Sequence, residues 1–158
     1  MPNRRPAKAA RRRRRRPGWF RPVPLRARAD GWSEARQCAF LAQLYVTGSV
    51  AAAARAVGMT RASAYRLRAR PGAESFAAMW GRVLTPPGRG HVVTAKPDFR
   101  KVTLQTLMCW LETGFVKPMI YRRQMCHMSR KPDDTTLFRL LRRLGDDPGP
   151  ELGAEFVW

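Results

Sequence analysis

The chain has 158 residues, with 31 Lys and Arg against 11 Asp and Glu, a formal net charge of +20 and a hydrophobic fraction of 44%. That length suits one compact domain with tails or two very small ones, and the apolar fraction is enough for a core. A field of this sign attracts polyanions, phosphate backbones first, whereas no apolar run approaches the ~18 residues of a bilayer span and no helix pairs a broad apolar face with a lysine-rich one, which sets a membrane partner aside.

Residues 1–29 hold 12 basic residues and no acid, with Arg11 to Arg16 consecutive. Self-repulsion and the prolines at 2, 6, 17, 22 and 24 predict a disordered Arg-rich arm over 1–30 that contributes nothing to a core. Its plain role is a solubilising tail. Its sharper role is to track phosphates through Arg11, Arg12, Arg13, Arg14, Arg15 and Arg16. Pro17-Gly18-Trp19-Phe20-Arg21-Pro22 follows the arginines at once, which argues against a secretory signal. Cys38, Cys109 and Cys126 lie in apolar stretches and read as reduced thiols of a cytoplasmic protein.

From Ser33 the pattern becomes helical. Ser33 caps a helix to about Val46, with Phe40, Leu41 and Leu44 at helical spacing and Trp32 as a staple before it. Thr47-Gly48 ends that helix and Ser49 caps the next, where Ala53, Ala54 and Val57 give a narrow apolar face. Gly58 supplies a left-handed backbone position, Met59 fills the corner, and Thr60 caps a following helix. Ala64 and Leu67 turn inward on that helix, so Arg61, Ala62, Tyr65, Arg66 and Arg68 turn outward. Small alanines, a glycine turn and a polar cap read as a helix-turn-helix whose second helix is shaped for a major groove. The plain alternative is an α-hairpin with a solvated basic face. Pro71-Gly72 stops the second helix, and residues 73–84 form a fourth with Phe76, Trp80 and Val83 packing inward. Together these elements predict a tri- or tetrahelical DNA-binding domain over 31–84.

Residues 85–97 are a linker on composition. Asp98 is expected to cap a helix over 99–113, followed by two short strands, Phe115–Tyr121 and Gln124–Arg130, and a last helix capped by Asp133 or Asp134. Pro118 has no N–H and places its strand at an edge. Leu137, Leu140, Leu141 and Leu144 form an apolar stripe on the last helix. This helix–hairpin–helix unit over 98–145 is too small to be secure alone and points to packing on the first domain or to oligomerisation. The tail 146–158 reverses sign, carrying four acids and ending Phe156-Val157-Trp158, as a frayed end or a docking motif.

No catalytic constellation is visible. His91 and His127 fall in a linker and a strand, and adjacent Cys126-His127 lacks the spacing that lets zinc ligands converge. Asp133-Asp134 reads as a helix cap rather than a metal carboxylate pair. No glycine-rich loop with a lysine cradles phosphates. The expectation is a non-enzyme with no metal and no cofactor.

Two stretches carry a resemblance. Thr47-Gly48-Ser49-Val50, the Ala-rich helix, Gly58-Met59-Thr60 and Tyr65 resemble the helix-turn-helix of phage terminase small subunits and related prophage and transposase-type DNA-binding proteins. Pro118-Met119-Ile120-Tyr121, a short turn, Arg130-Lys131-Pro132-Asp133 and the leucine-rich helix resemble the C-terminal half of some terminase-like proteins. The resemblance implies recognition of double-stranded DNA for packaging, assembly into a homo-oligomer, and hand-over to a terminase large subunit that carries the ATPase and nuclease. Arg61, Tyr65 and Arg66 match its DNA-contact positions, and Thr60, Ala62 and Arg68 complete the candidate DNA-binding surface. Arg123 departs from it, since related hairpins commonly carry glycine there; arginine tolerates positive φ badly, which predicts a wider loop or an irregular hairpin. The Arg-rich arm is a second departure and raises the alternative of a domesticated, host-encoded DNA-binding protein that packages nothing; the expected location is the cytoplasm, in association with the nucleoid. The expected fold is therefore mainly α, a helix-turn-helix domain followed by a helix–β-hairpin–helix unit. A dimeric transcriptional regulator and an RNA-binding or nucleoid-coating protein are the alternatives.

Overall fold

A computed structural model describes residues 13–90 and 96–145. Among them are six helices and one two-stranded antiparallel hairpin: α1 Glu34–Thr47, α2 Val50–Ala56, α3 Arg61–Arg68, α4 Glu74–Leu84, α5 Leu104–Thr113, β1 Phe115–Tyr121, β2 Gln124–Lys131 and α6 Asp134–Gly145. The chain divides into two units, 1–96 with 115–131, and 97–114 with 132–158. The acidic tail, His91, Arg11 and Arg12 lie outside the described residues.

In the first unit, short-range capping chemistry sets the helix starts. Ser33, Ser49 and Thr60 each accept a backbone N–H three residues ahead, from Arg36, Ala52 and Ser63 at 3.2, 3.3 and 3.1 Å. Gly48 ends α1 at φ 70°, donating its N–H to the Leu44 carbonyl. Gly58 at φ 74° turns the chain from α2 into α3. Phe40 is the hub of the core, with Trp80, Trp32 and Phe76 ring centroids at 4.9, 5.5 and 6.0 Å. Such aromatic pairs add roughly 0.5–1.5 kcal/mol each beyond the area they bury. Ala53, Ala54, Ala64 and Leu67 bring α2 and α3 onto the same core.

The segment expected to be a disordered arm is instead structural from residue 13 onward. Phe20 and Val23 are buried in the core, and Phe20 exchanges both backbone hydrogen bonds with Val116 of β1, at 3.0 and 2.9 Å. The buried Gln37 side chain accepts from Val23 N–H at 2.8 Å and donates to the Val23 and Trp32 carbonyls at 3.1 and 3.2 Å. Arg21 N–H donates to Ser75 Oγ at 2.8 Å. Prolines that forbid a helix suit an extended strap, and here they shape one.

The hairpin also belongs to this unit rather than to a helix–hairpin–helix body. A lone two-stranded hairpin is marginal in water, and this one packs on α1, contributing Val116 to the core with Met125 and Met128 against it. The Phe20 bridge faces β1 on the side away from β2, so Pro118, two residues after Val116, withholds no bond from β2. The turn has two residues, with Arg122 at φ 47° and Arg123 at φ 64°. The loop is therefore not wider, and the hairpin is irregular through a bulge: Met119 pairs with His127 but Ile120 pairs with Met125, leaving Cys126 without an opposite residue. A one-residue slip exchanges faces, so the bulge gives Met125 rather than Cys126 to the core side.

In the second unit α5 and α6 pair with each other. Thr103, not Asp98, caps α5, and Asp98 closes a turn by accepting from Arg100 N–H at 3.1 Å. Asp133 caps α6, accepting from the Thr136 N–H and hydroxyl at 3.1 and 2.6 Å. Leu107 and Leu140 are buried, whereas Leu137, Leu141 and Leu144 of the same stripe are exposed. Arg143 donates to the carbonyls of Val102 and Phe99, and Arg139 lies 3.9 Å over the Phe99 ring. No helix among the described residues is long and apolar enough to cross a membrane.

Candidate nucleic-acid interface

Within residues 13–90 and 115–131 there are 20 Lys and Arg against three acids, Asp30, Glu34 and Glu74. Of these acids, Glu34 is engaged by Arg130 and Glu74 accepts from Gly72 N–H at 3.3 Å. The positive field of this unit is therefore largely unneutralised from within.

Its arrangement is clearest on α3. With Ala64 and Leu67 buried, a spacing of about 100° per residue puts Ala62 and Ala69 at the outermost point of the helix. Both are exposed. On one flank of this small-residue crest stand Arg61, Tyr65 and Arg68. Tyr65 packs its ring 5.3 Å from Trp80, Arg61 lies 5.7 Å over Tyr65, and Arg68 lies 5.1 Å over Trp80. These contacts hold three long side chains against an aromatic shelf, which reduces the freedom they would lose on binding. On the other flank stand Ser63, Arg66 and Arg70, spaced three and four residues apart. Ser63 accepts from the Trp32 indole N–H at 2.7 Å, while Arg66 and Arg70 are exposed. Thr60 has its hydroxyl committed to the cap.

The arginine run behaves differently from a free arm. Arg14 donates from Nε to the Tyr45 carbonyl at 2.5 Å and from its terminal nitrogen to the Val46 carbonyl at 2.8 Å, satisfying the C-terminal end of α1. Arg15 donates to the Gly90 carbonyl at 3.0 Å. Arg16 reaches the Ile120 carbonyl at 3.5 Å and lies 6.0 Å over the Tyr45 ring. Arg13 is exposed. Arg14, Arg15 and Arg16 are thus drawn onto the fold rather than held out as a tail.

Arg70, Arg26 and Arg28 belong to the same surface and were not singled out from sequence. Continuing the Ser63–Arg66 spacing one turn further finds Arg70. No short-range pattern points to Arg26 and Arg28, which reach the α3 side only because the 23–32 strap is folded. Among the described residues no group of three or more His, Cys, Asp or Glu is placed to hold a metal ion. His127 shares a 3.2 Å hydrogen bond with Ser129. Burial, with the Glu34 carboxylate reinforcing it against an opposing Arg130, pushes the Cys38 thiol from 9.0 to about 12, so it stays protonated and a poor nucleophile. No family model, curated protein or solved structure matches the chain.

Proposed function

We propose that this chain is a non-catalytic protein that binds double-stranded DNA, with α2, the Gly58 turn and α3 acting as a helix-turn-helix and α3 entering the major groove. The observation that carries this reading is the surface of α3: an alanine crest between two basic rails. The crest lets the helix approach the floor of a groove about 12 Å wide, while the rails reach its edges and backbone. The resemblance to terminase small subunits gives the proposal its finer form, DNA recognition for packaging by a homo-oligomer acting with a large subunit.

Selection of duplexes from a random library, followed by affinities for the enriched and a scrambled sequence, tests the reading. Arg61→Ala and Arg66→Ala are each expected to weaken the enriched duplex by roughly 5- to 150-fold, the equivalent of 1–3 kcal/mol for a good arginine–guanine contact, and the scrambled duplex far less. Equal losses on both would make these residues phosphate contacts and α3 a non-reading helix. A wild-type chain that retains no duplex would refute DNA binding itself.

A further inference from the structure

Beside α3 lies a cleft of about 840 Å³. One wall is the strap, which contributes Arg26 and Arg28, and the other is α3 with the residues that follow it, which contributes Arg66 and Arg70. Trp32 and Leu67, both buried, and the Ser63 hydroxyl that receives the Trp32 indole N–H lie between them. Asp30 is the one carboxylate on the lining. All four arginines are exposed, and none donates its guanidinium to a protein acceptor among the described residues. Four like charges facing one concavity repel one another, and a folded chain gains nothing internally from gathering them. An anion placed between the walls removes that cost and gains charge-assisted, bidentate hydrogen bonds.

Resting on the DNA-binding reading, we infer that this cleft is a phosphate-ester site that seats the backbone of the strand running alongside α3. Arg66 lies in the last turn of α3 and Arg70 two residues past its end, so at a helical rise they stand ~6 Å apart along its axis. With a phosphate every 3.4 Å of rise on one strand, that interval spans about two phosphates. Arg26 and Arg28 meet the same stretch from the opposite wall. Bases play no part here: the site fixes register, and discrimination belongs to the crest of α3. Asp30, a single carboxylate, does not offset four arginines.

The full-length protein and its Arg26→Ala/Arg28→Ala variant, whose substituted side chains are exposed, provide the test. The Trp32 indole N–H resonance reports on the cleft, and inorganic pyrophosphate and duplex DNA are the two probes. Pyrophosphate is expected to move that resonance saturably in the wild type and not in the variant. On duplex DNA the variant should show a log affinity against log salt slope shallower by about 1.8, since each phosphate contact contributes about 0.9; between 50 and 200 mM salt this is a roughly 12-fold smaller loss of affinity. Enriched and scrambled duplexes should lose the same factor. If pyrophosphate moves the indole but saturating duplex neither moves it nor reveals a slope difference, the cleft serves a free phosphate and the nucleic-acid occupant is overturned. If neither probe moves it, the site itself is overturned. Wild-type protein that binds no duplex defeats the DNA-binding reading, and the pyrophosphate arm still decides the cleft.

Discussion

Phe20 lies in a stretch whose composition says tail, yet it is fully buried, with its ring 6.1 Å from Phe76. Phe20→Ala removes that ring while leaving in place the two backbone bonds to Val116, which any residue can make. The loss combines transfer of the ring to water with the cavity left among Phe76, Val116 and their neighbours, about 3–5 kcal/mol for a buried phenylalanine. Small domains are stable by only about 5–15 kcal/mol, so the variant should lose roughly a fifth or more of the total and melt roughly 12 °C or more below the wild type. Urea unfolding followed by circular dichroism gives the free energy. Hydrogen exchange at the Val116 amide, which donates to the Phe20 carbonyl at 2.9 Å, shows whether the strap is in place. Deleting residues 1–24 should cost more than Phe20→Ala and release the Val116 amide. A Phe20→Ala loss under about 1 kcal/mol, together with unchanged Val116 exchange in the deletion, would refute the strap as part of the core and return it to the role of a free arm.

Two further outcomes are expected. Cys38 titrates near 12 when folded and near 9.0 when its environment is lost, so the folded state binds the extra proton between those values and stability falls as pH rises through that window. Relative to Cys38→Ala, the wild type should lose about 2 kcal/mol between pH 8 and 10.5, read from urea midpoints at the two values; an unchanged difference would show the thiol is not held protonated by the fold. Leu141→Asp, at an exposed stripe position of α6, should cost a monomer no more than about 0.5 kcal/mol but dissociate a homo-oligomer built on that stripe, as measured by light scattering. A wild type that is already monomeric would remove the oligomer from the proposal. Leu140 is unsuitable for this test because it is buried.

What was legible in the sequence was whatever rests on neighbours three or four residues away. Ser33, Ser49 and Thr60 as caps, Gly48 and Gly58 as stops, and Ala64 and Leu67 as the inward face of α3 all follow from such spacings. The strap left no such trace because its partners are remote: Val23 on Gln37, Arg21 on Ser75, Phe20 on Val116. An extended segment held by a different element at each residue has no period to read. The hairpin strands were placed correctly, but their allegiance was not, since that depends on Phe20 and α1 rather than on the flanking helices. Arginine at positive φ costs roughly 1–2 kcal/mol, which argues for a wider loop or an irregular hairpin, and the hairpin is irregular at its bulge. The twist of the strands favours a two-residue turn with both φ positive, and that preference prevailed at Arg122 and Arg123, with Arg122 lying 5.3 Å over the Tyr121 ring.

The strap also ties the proposed phosphate site to the core. Gln37 grips Val23 at one end of the 23–32 stretch and the Trp32 carbonyl at the other, and the Trp32 indole is in turn bonded to Ser63 on α3. Arg26 and Arg28 therefore sit on a short loop whose two ends are fixed by buried groups, and Gly31 donates to the Arg28 carbonyl at 3.2 Å to tighten it further. The ordering entropy of that wall is met during folding rather than on binding, which is how pre-organisation raises affinity without adding a contact. A loosely attached arginine tail would supply the same charge but surrender that entropy each time it met a phosphate. The proline-rich composition that suggested disorder serves the opposite end here. Pro17, Pro22 and Pro24 keep the segment ahead of Arg26 out of a helix, which leaves Phe20 free to bridge Val116 and Val23 to meet Gln37.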